Sequence, residues 1–301
     1  MLPALAVKPP ASTYNPVSCP VNAVVFNRDN AVNLLDLRIL TAPQYIRAGQ
    51  RFETLAKCPG LFYHRAMTAQ RTKTWFTILP AMVLPCIASL FYFVLFSEKL
   101  FAQLLYAGTK LFTVLWPALA VFLVLGHPFP KINIAWRKHL KALPLGIISG
   151  IIIVAGMFAL MQTPLGEIAR ASGDNIRQKL TGLGILEHYW LFSLFLAIAH
   201  SLIEEYYWRW FLFGRLRSVI PVFWAHILAG AAFASHHVVI ASQFFGIGWG
   251  FFVGAAVAAG GIIWSIMYNR QRTLVGSWAS HMIVDLGIEV IGHSILFGTF
   301  F

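Results

Sequence analysis

The chain has 301 residues, of which 58% are apolar and only 11% are Asp, Glu, Lys or Arg, against about a quarter charged in an ordinary soluble domain. A mean hydropathy of +0.69 excludes a soluble globular protein, and 25 Phe, 10 Trp and 9 Tyr exclude a disordered one. The formal charge of +12 does not point to nucleic acid, because the Lys and Arg residues sit in short clusters between long apolar runs and form no single basic face.

From the N-terminus, Met1 to Pro10 lacks the basic start and apolar middle of a signal peptide. Residues 1–73 are therefore expected to stay as a cytosolic or interfacial arm, with Ala31 to Ala42 and Gln44 to Lys57 able to form amphipathic helices on the membrane. Seven apolar runs follow, each long enough to cross a bilayer: 75–96, 109–128, 143–162, 189–213, 219–241, 244–268 and 274–300. The last could split near Gly287, so the fold class is an all-α polytopic bundle of about seven helices, six to eight in range. Cys19, Cys58 and Cys86 are too few and too scattered for a disulfide framework or a zinc knuckle.

Alternate connections carry twelve Lys and Arg on one side and five, including Lys99 and Lys110, on the other. Because basic residues are retained in short cytoplasmic loops, the N-terminus is expected inside and the C-terminus outside. Gly250, Gly254 and Ala258 recur every fourth residue and make a small-residue packing seam.

Between Ser218 and Asn269 there is no Asp, Glu, Lys or Arg, so the ionisable residues inside nearby spans stand out. They are Glu204, Glu205 and Arg209, then His226, His236 and His237, then His281, Asp285, Glu289 and His293. Groups of this kind at membrane depth are costly and mark pathways or active sites, or form buried structural pairs. On a helix, residues four apart share a face. Glu205 and Arg209 form the favourable ordered pair, which leaves Glu204 as the spare carboxylate with His200 one turn before it. Phe233 and His237, and His281 and Asp285, are spaced in the same way, so three helices can present polar groups to one cavity. A carboxylate base with imidazole donors in an apolar bundle is what water activation and oxyanion stabilisation require.

Glu204-Glu205-x-x-x-Arg209, Phe233-x-x-x-His237 and His281-x-x-x-Asp285, in this order on successive apolar helices, resemble the CPBP family of intramembrane proteases. That family includes the prenyl-protein CAAX endopeptidases and many bacterial Abi-type proteins. The resemblance covers roughly 189–290 and implies residues 74–188 as accessory transmembrane helices and 189–301 as the catalytic core. It implies an endopeptidase that hydrolyses a peptide bond of a membrane-associated substrate. Glu204 would be the general base, held by His237. His281 and Asp285 would stabilise the oxyanion, with Glu205, Arg209 and Phe233 supporting the site. CAAX-processing members often have Asn at the last position. Asp285 donates a hydrogen bond only when protonated, so it either carries a proton, orients His281 or helps hold a metal. The family has been described both as glutamic proteases and as metalloproteases. The H-E-x-x-H signature is absent, so metal-independent water activation is favoured, with zinc on Glu204, His237 and His281 as the alternative.

His281, Asp285, Glu289 and His293 form a polar stripe that either extends the cavity as a water or proton path or ends at the outer interface. Counted from the inner ends of the apolar runs, Glu204 is about nine residues deep, His281 about seven and His237 about eighteen. The three meet only if Ser218 to Trp224 lies along the interface and the helix begins later. Two further readings stay open: a non-proteolytic membrane binding or immunity protein that keeps the fold, and a transporter or proton-coupled channel. The expected partners are a membrane-tethered peptide or protein and the bilayer itself, with the plasma membrane as location in a bacterial host.

Overall fold

The computed structural model describes residues 59–95, 100–129, 136–182 and 184–299. Both expected amphipathic segments of the arm, Cys19, Cys58, Lys57, Lys99 and Lys131 lie outside the described residues. By internal contacts the chain forms two units, Met1–Ala69 and Gln70–Phe301. The first is described only where its helix begins, and the bundle considered below belongs to the second.

All regular structure among the described residues is helical. Helix α1, Pro59–Ser89, widens into a π-helical segment at Leu90–Leu95, and α2, Leu100–Ala118, does the same at Leu119–Val124. Helix α3 is Trp136–Met161, followed by the short α4, Pro164–Ala171, and α5, Gly173–Gly182. The composite α6 runs Leu186–Leu216, and α7 is Val222–Phe245, α8 Ile247–Gln271 and α9 Val275–Phe297. Seven of these are long and apolar enough to cross a membrane, which makes the chain a multi-pass integral membrane protein.

The last apolar run is one unbroken helix. Gly287 does not split it; the residue admits Val154 of α3 where a Cβ would collide. The same device continues down the seam, where Gly146 and Gly150 of α3 close on Gly276, Ser280 and Ile283 of α9. The Gly250–Gly254 repeat performs the same role between α7 and α8, where Gly250 receives Ser242 and Gly254 receives Val238. Small residues thus fix the parallel α3–α9 pair, which carries His281, and the antiparallel α7–α8 pair, which carries His236 and His237.

The centre of the bundle is aromatic. Tyr207, Trp208, Phe211 and Phe213 of α6 pack with Phe233 of α7 and Trp264 of α8, all nearly inaccessible. Tyr207 donates its hydroxyl to the Ala81 carbonyl and Trp116 its indole N–H to that of Thr77, both at 2.9 Å, which satisfies their polar ends within the apolar core. Outward faces remain apolar, as the exposed Leu79, Val83, Ile148 and Ile152 show. This inside-out distribution is the one a lipid solvent permits.

Candidate active site

Helix α6 is irregular where its chemistry lies. An α-helical turn, Ser201–Glu205, is flanked by π-helical segments at Leu196–His200 and Tyr206–Phe213. Such segments widen the helix and recur at functional sites. The expected pair nonetheless forms, with Glu205 Oε1 at 3.0 Å from Arg209 Nη1 and both side chains almost wholly enclosed. Arg209 also lies over the Phe233 ring at 4.5 Å and the Trp264 ring at 4.9 Å, so its charge is met by one carboxylate and two aromatic faces.

Glu204, turned to a neighbouring face, meets imidazoles from three helices. Its Oε2 is 3.8 Å from His200 Nδ1 and 3.6 Å from His281 Nε2, and its Oε1 is 3.6 Å from His236 Nε2. The carboxylate is only 11% exposed. The spare acid of the sequence is therefore the hub of the cluster.

His281 is held at both ring nitrogens. Its Nδ1 is 2.9 Å from Glu205 Oε1, while Nε2 faces Glu204 and, at 3.6 Å, Asp285 Oδ1. An ionised carboxylate only accepts, so Glu205 places a proton on Nδ1 and turns Nε2 to the cavity. The ring also stacks on Trp264 at 4.1 Å, and Trp264 is itself fixed by donation to Ser280 Oγ at 2.9 Å. Asp285 thus lies beside His281 at the cavity.

His237 takes a different place from the one its motif suggested. Its Nδ1 lies 3.0 Å from the Phe233 carbonyl, and it is the adjacent His236 whose Nε2 faces Glu204, with the His236 ring parallel to Trp208. His237 remains in the group, because one ligand atom each from Glu204, His236 and His237 lies within 4.8 Å of the others. The metal set expected from the motifs, Glu204, His237 and His281, is not the one that converges within that limit; His236 replaces His281. The chemistry of the converging set fits a metal: one carboxylate and two imidazoles leave a position open, and the Nδ1 donation of His237 to a backbone carbonyl orients it as ligating histidines commonly are.

Sequence reasoning missed Lys110. It was counted among the outer loops, yet it lies inside α2, within the span Leu104–Val124, and its Nζ is 2.7 Å from His200 Nε2. An ammonium has no acceptor, so it donates to Nε2 and leaves the His200 proton on Nδ1, toward Glu204. The depth conflict narrows, although α7 takes in Val222 to Trp224, which were expected along the interface. Helix α6 continues past Phe213 to Leu216, and α7 begins only at Val222, after a cap at Pro221. The polar stripe of α9 parts company beyond Asp285. Glu289 accepts from Ser193 at 2.9 Å, and His293 stacks on Trp190.

The carboxylate–imidazole cluster lies within a polytopic helical bundle, in the part of the chain that is similar to the CPBP/CAAX proteases. Residues 186–287 match the family described as type II CAAX prenyl endopeptidase Rce1-like, the segment that carries all three motifs. No curated protein matches the chain, and no solved structure does.

Proposed function

We propose that the protein cleaves a membrane-tethered peptide or protein with water activated by Glu204. The observation that carries this reading is the single buried carboxylate facing His200, His236 and His281 from three directions. Glu204 takes a proton from water as the oxygen attacks the scissile carbonyl, and returns it to the leaving amine. His281, doubly protonated among the carboxylates of Glu204, Glu205 and Asp285, keeps its Nδ1 proton on Glu205 and donates from Nε2 to the developing oxyanion. His200 and His236 hold the two oxygens of Glu204, and His237, anchored on Phe233, closes the same wall. Arg209 and Glu205 keep α6 in register.

A second reading is metal assistance, supported by the convergence of Glu204, His236 and His237. Those residues would hold a zinc ion, which would supply Lewis acidity to water and carbonyl. Chelator treatment of the purified protein separates the two. Retained cleavage supports the glutamic reading, and loss restored by zinc supports the metal.

The matched family names prenylated CAAX termini as one substrate class; release of a leader or sorting tail from a membrane precursor is the other. The protein would act with its N-terminus in the cytoplasm, in the plasma membrane of a bacterial host. New protein N-termini should be compared between membranes carrying wild type and Glu204→Gln at equal expression. Termini that depend on the wild type are the expected result and would identify the substrate. No difference between the two would favour the non-proteolytic binding or immunity protein.

A further inference from the structure

A second polar feature lies away from the catalytic cluster. A cavity of about 340 Å³ is lined by Arg137, Lys138, Lys141, Ala142 and Gln271, between the first turns of α3 and the end of α8. Its walls are joined by hydrogen bonds. Lys138 Nζ donates to the Arg272 carbonyl at 2.7 Å, Gln271 Nε2 to that of Ala142 at 3.3 Å, and His139 pairs with Thr273 Oγ1 at 2.7 Å. Arg270 lies in the last turn of α8, and Arg272 turns the chain with a left-handed φ of 55°.

The charge is one-sided. No Asp or Glu occurs in 99–166 or 206–284, the stretches that build both walls. The ion pairs among the described residues all belong to the Glu204–Glu205–Asp285 cluster, so Arg137 and Lys141 face the cavity without an anion. The outward surface of α3 that leads away from the cavity is apolar: Leu140, Leu145, Ile148 and Ile152 are each at least half exposed, and Trp136 flanks the mouth. A cationic recess at the end of a lipid-facing apolar strip matches a molecule with an anionic head and hydrocarbon tails, and a soluble anion would use only half of it.

We infer that this recess binds the phosphate of an anionic phospholipid headgroup, with the acyl chains along α3. The inference is independent of the catalytic reading. Bound there, the lipid would join α3 to the α8–α9 turn, at the foot of the seam that holds the His281 helix.

The test is native mass spectrometry of the purified full chain titrated with phosphatidylglycerol and, separately, phosphatidylcholine. Arg137→Gln/Lys141→Gln removes the two cations that hold no hydrogen bond in the wall and leaves Lys138 in place. Each basic side chain is worth about fivefold against an anionic headgroup, so phosphatidylglycerol should bind about 30-fold more weakly to the double variant. Phosphatidylcholine binding should be weak and unchanged. Equal binding of the two lipids by wild type, or an unchanged affinity in the double variant, would overturn the site. Arg137→Lys/Lys141→Arg should restore binding, and added salt should weaken it in wild type, a check that needs no variant to fold. If inorganic phosphate raises the unfolding temperature as much as phosphatidylglycerol does, the ligand is a soluble phosphate and the lipid assignment fails.

Discussion

Glu205 Oε1 is ion-paired with Arg209 on its own helix and accepts from His281 on α9. Its role is thus larger than the helix pairing read from the sequence, because it also decides which nitrogen of His281 faces the cavity. Glu205→Gln should retain a hydrogen bond to His281 but leave the enclosed Arg209 uncompensated, and removing one member of a buried pair costs about 3–5 kcal/mol. A lowered unfolding temperature in detergent, beyond that of Glu204→Gln, would show it. Lys110 yields a different expectation. Lys110→Met frees the His200 tautomer without touching Glu204, and a charged hydrogen bond of this kind corresponds to about tenfold in turnover. Lys110→Arg, also a pure donor, should keep most of the activity, and ¹⁵N shifts of the His200 ring should report the lost tautomer in the methionine variant alone. Neither Lys110 nor His236 was assigned to the site from sequence. Adjacent imidazoles on one helix are told apart only by the approach of another helix, and a lysine near a span end reads as a loop charge until its partner ninety residues away is known.

At the scale of elements, apolar length and periodicity marked each membrane helix, since a bilayer imposes its thickness on composition. They did not mark the π-helical segments of α6, because hydropathy is blind to whether a carbonyl accepts from the fourth or the fifth residue on. Nor did they place the break between α6 and α7, where Ser218 to Pro221 is as apolar in context as the spans beside it. The Gly250–Gly254 seam was legible and has a measurable consequence. Gly254→Val would drive a side chain into Val238, an overpacking worth about 1–3 kcal/mol. Reduced yield of monodisperse protein is the expected outcome, and Gly248→Ala, which meets nothing, is the control.

For the whole molecule, an odd number of spans, seven among the described residues, would put the ends of the bundle on opposite sides of the bilayer, with the N-terminus expected inside from the basic clusters. A reporter fused after Phe301 should be active only outside, and one fused before Met1 only inside; the reverse would invert the side from which substrate reaches Glu204. The matched family segment ends at 287 and begins at 186, yet Lys110 comes from α2. Helix α2, outside the matched segment, therefore contributes a side chain beside the carboxylate–imidazole cluster.

The Glu205–Arg209 pair bears finally on how the protein enters its membrane. Because the two charges sit one turn apart on a single helix, α6 can pass from translocon to lipid with them already neutralised. Glu204 has no such companion among the acids and arginines of its own helix, and its remaining imidazole partners arrive only with α7 and α9. A nascent chain halted before α9 would therefore hold an incompletely sheltered Glu204 carboxylate in the bilayer.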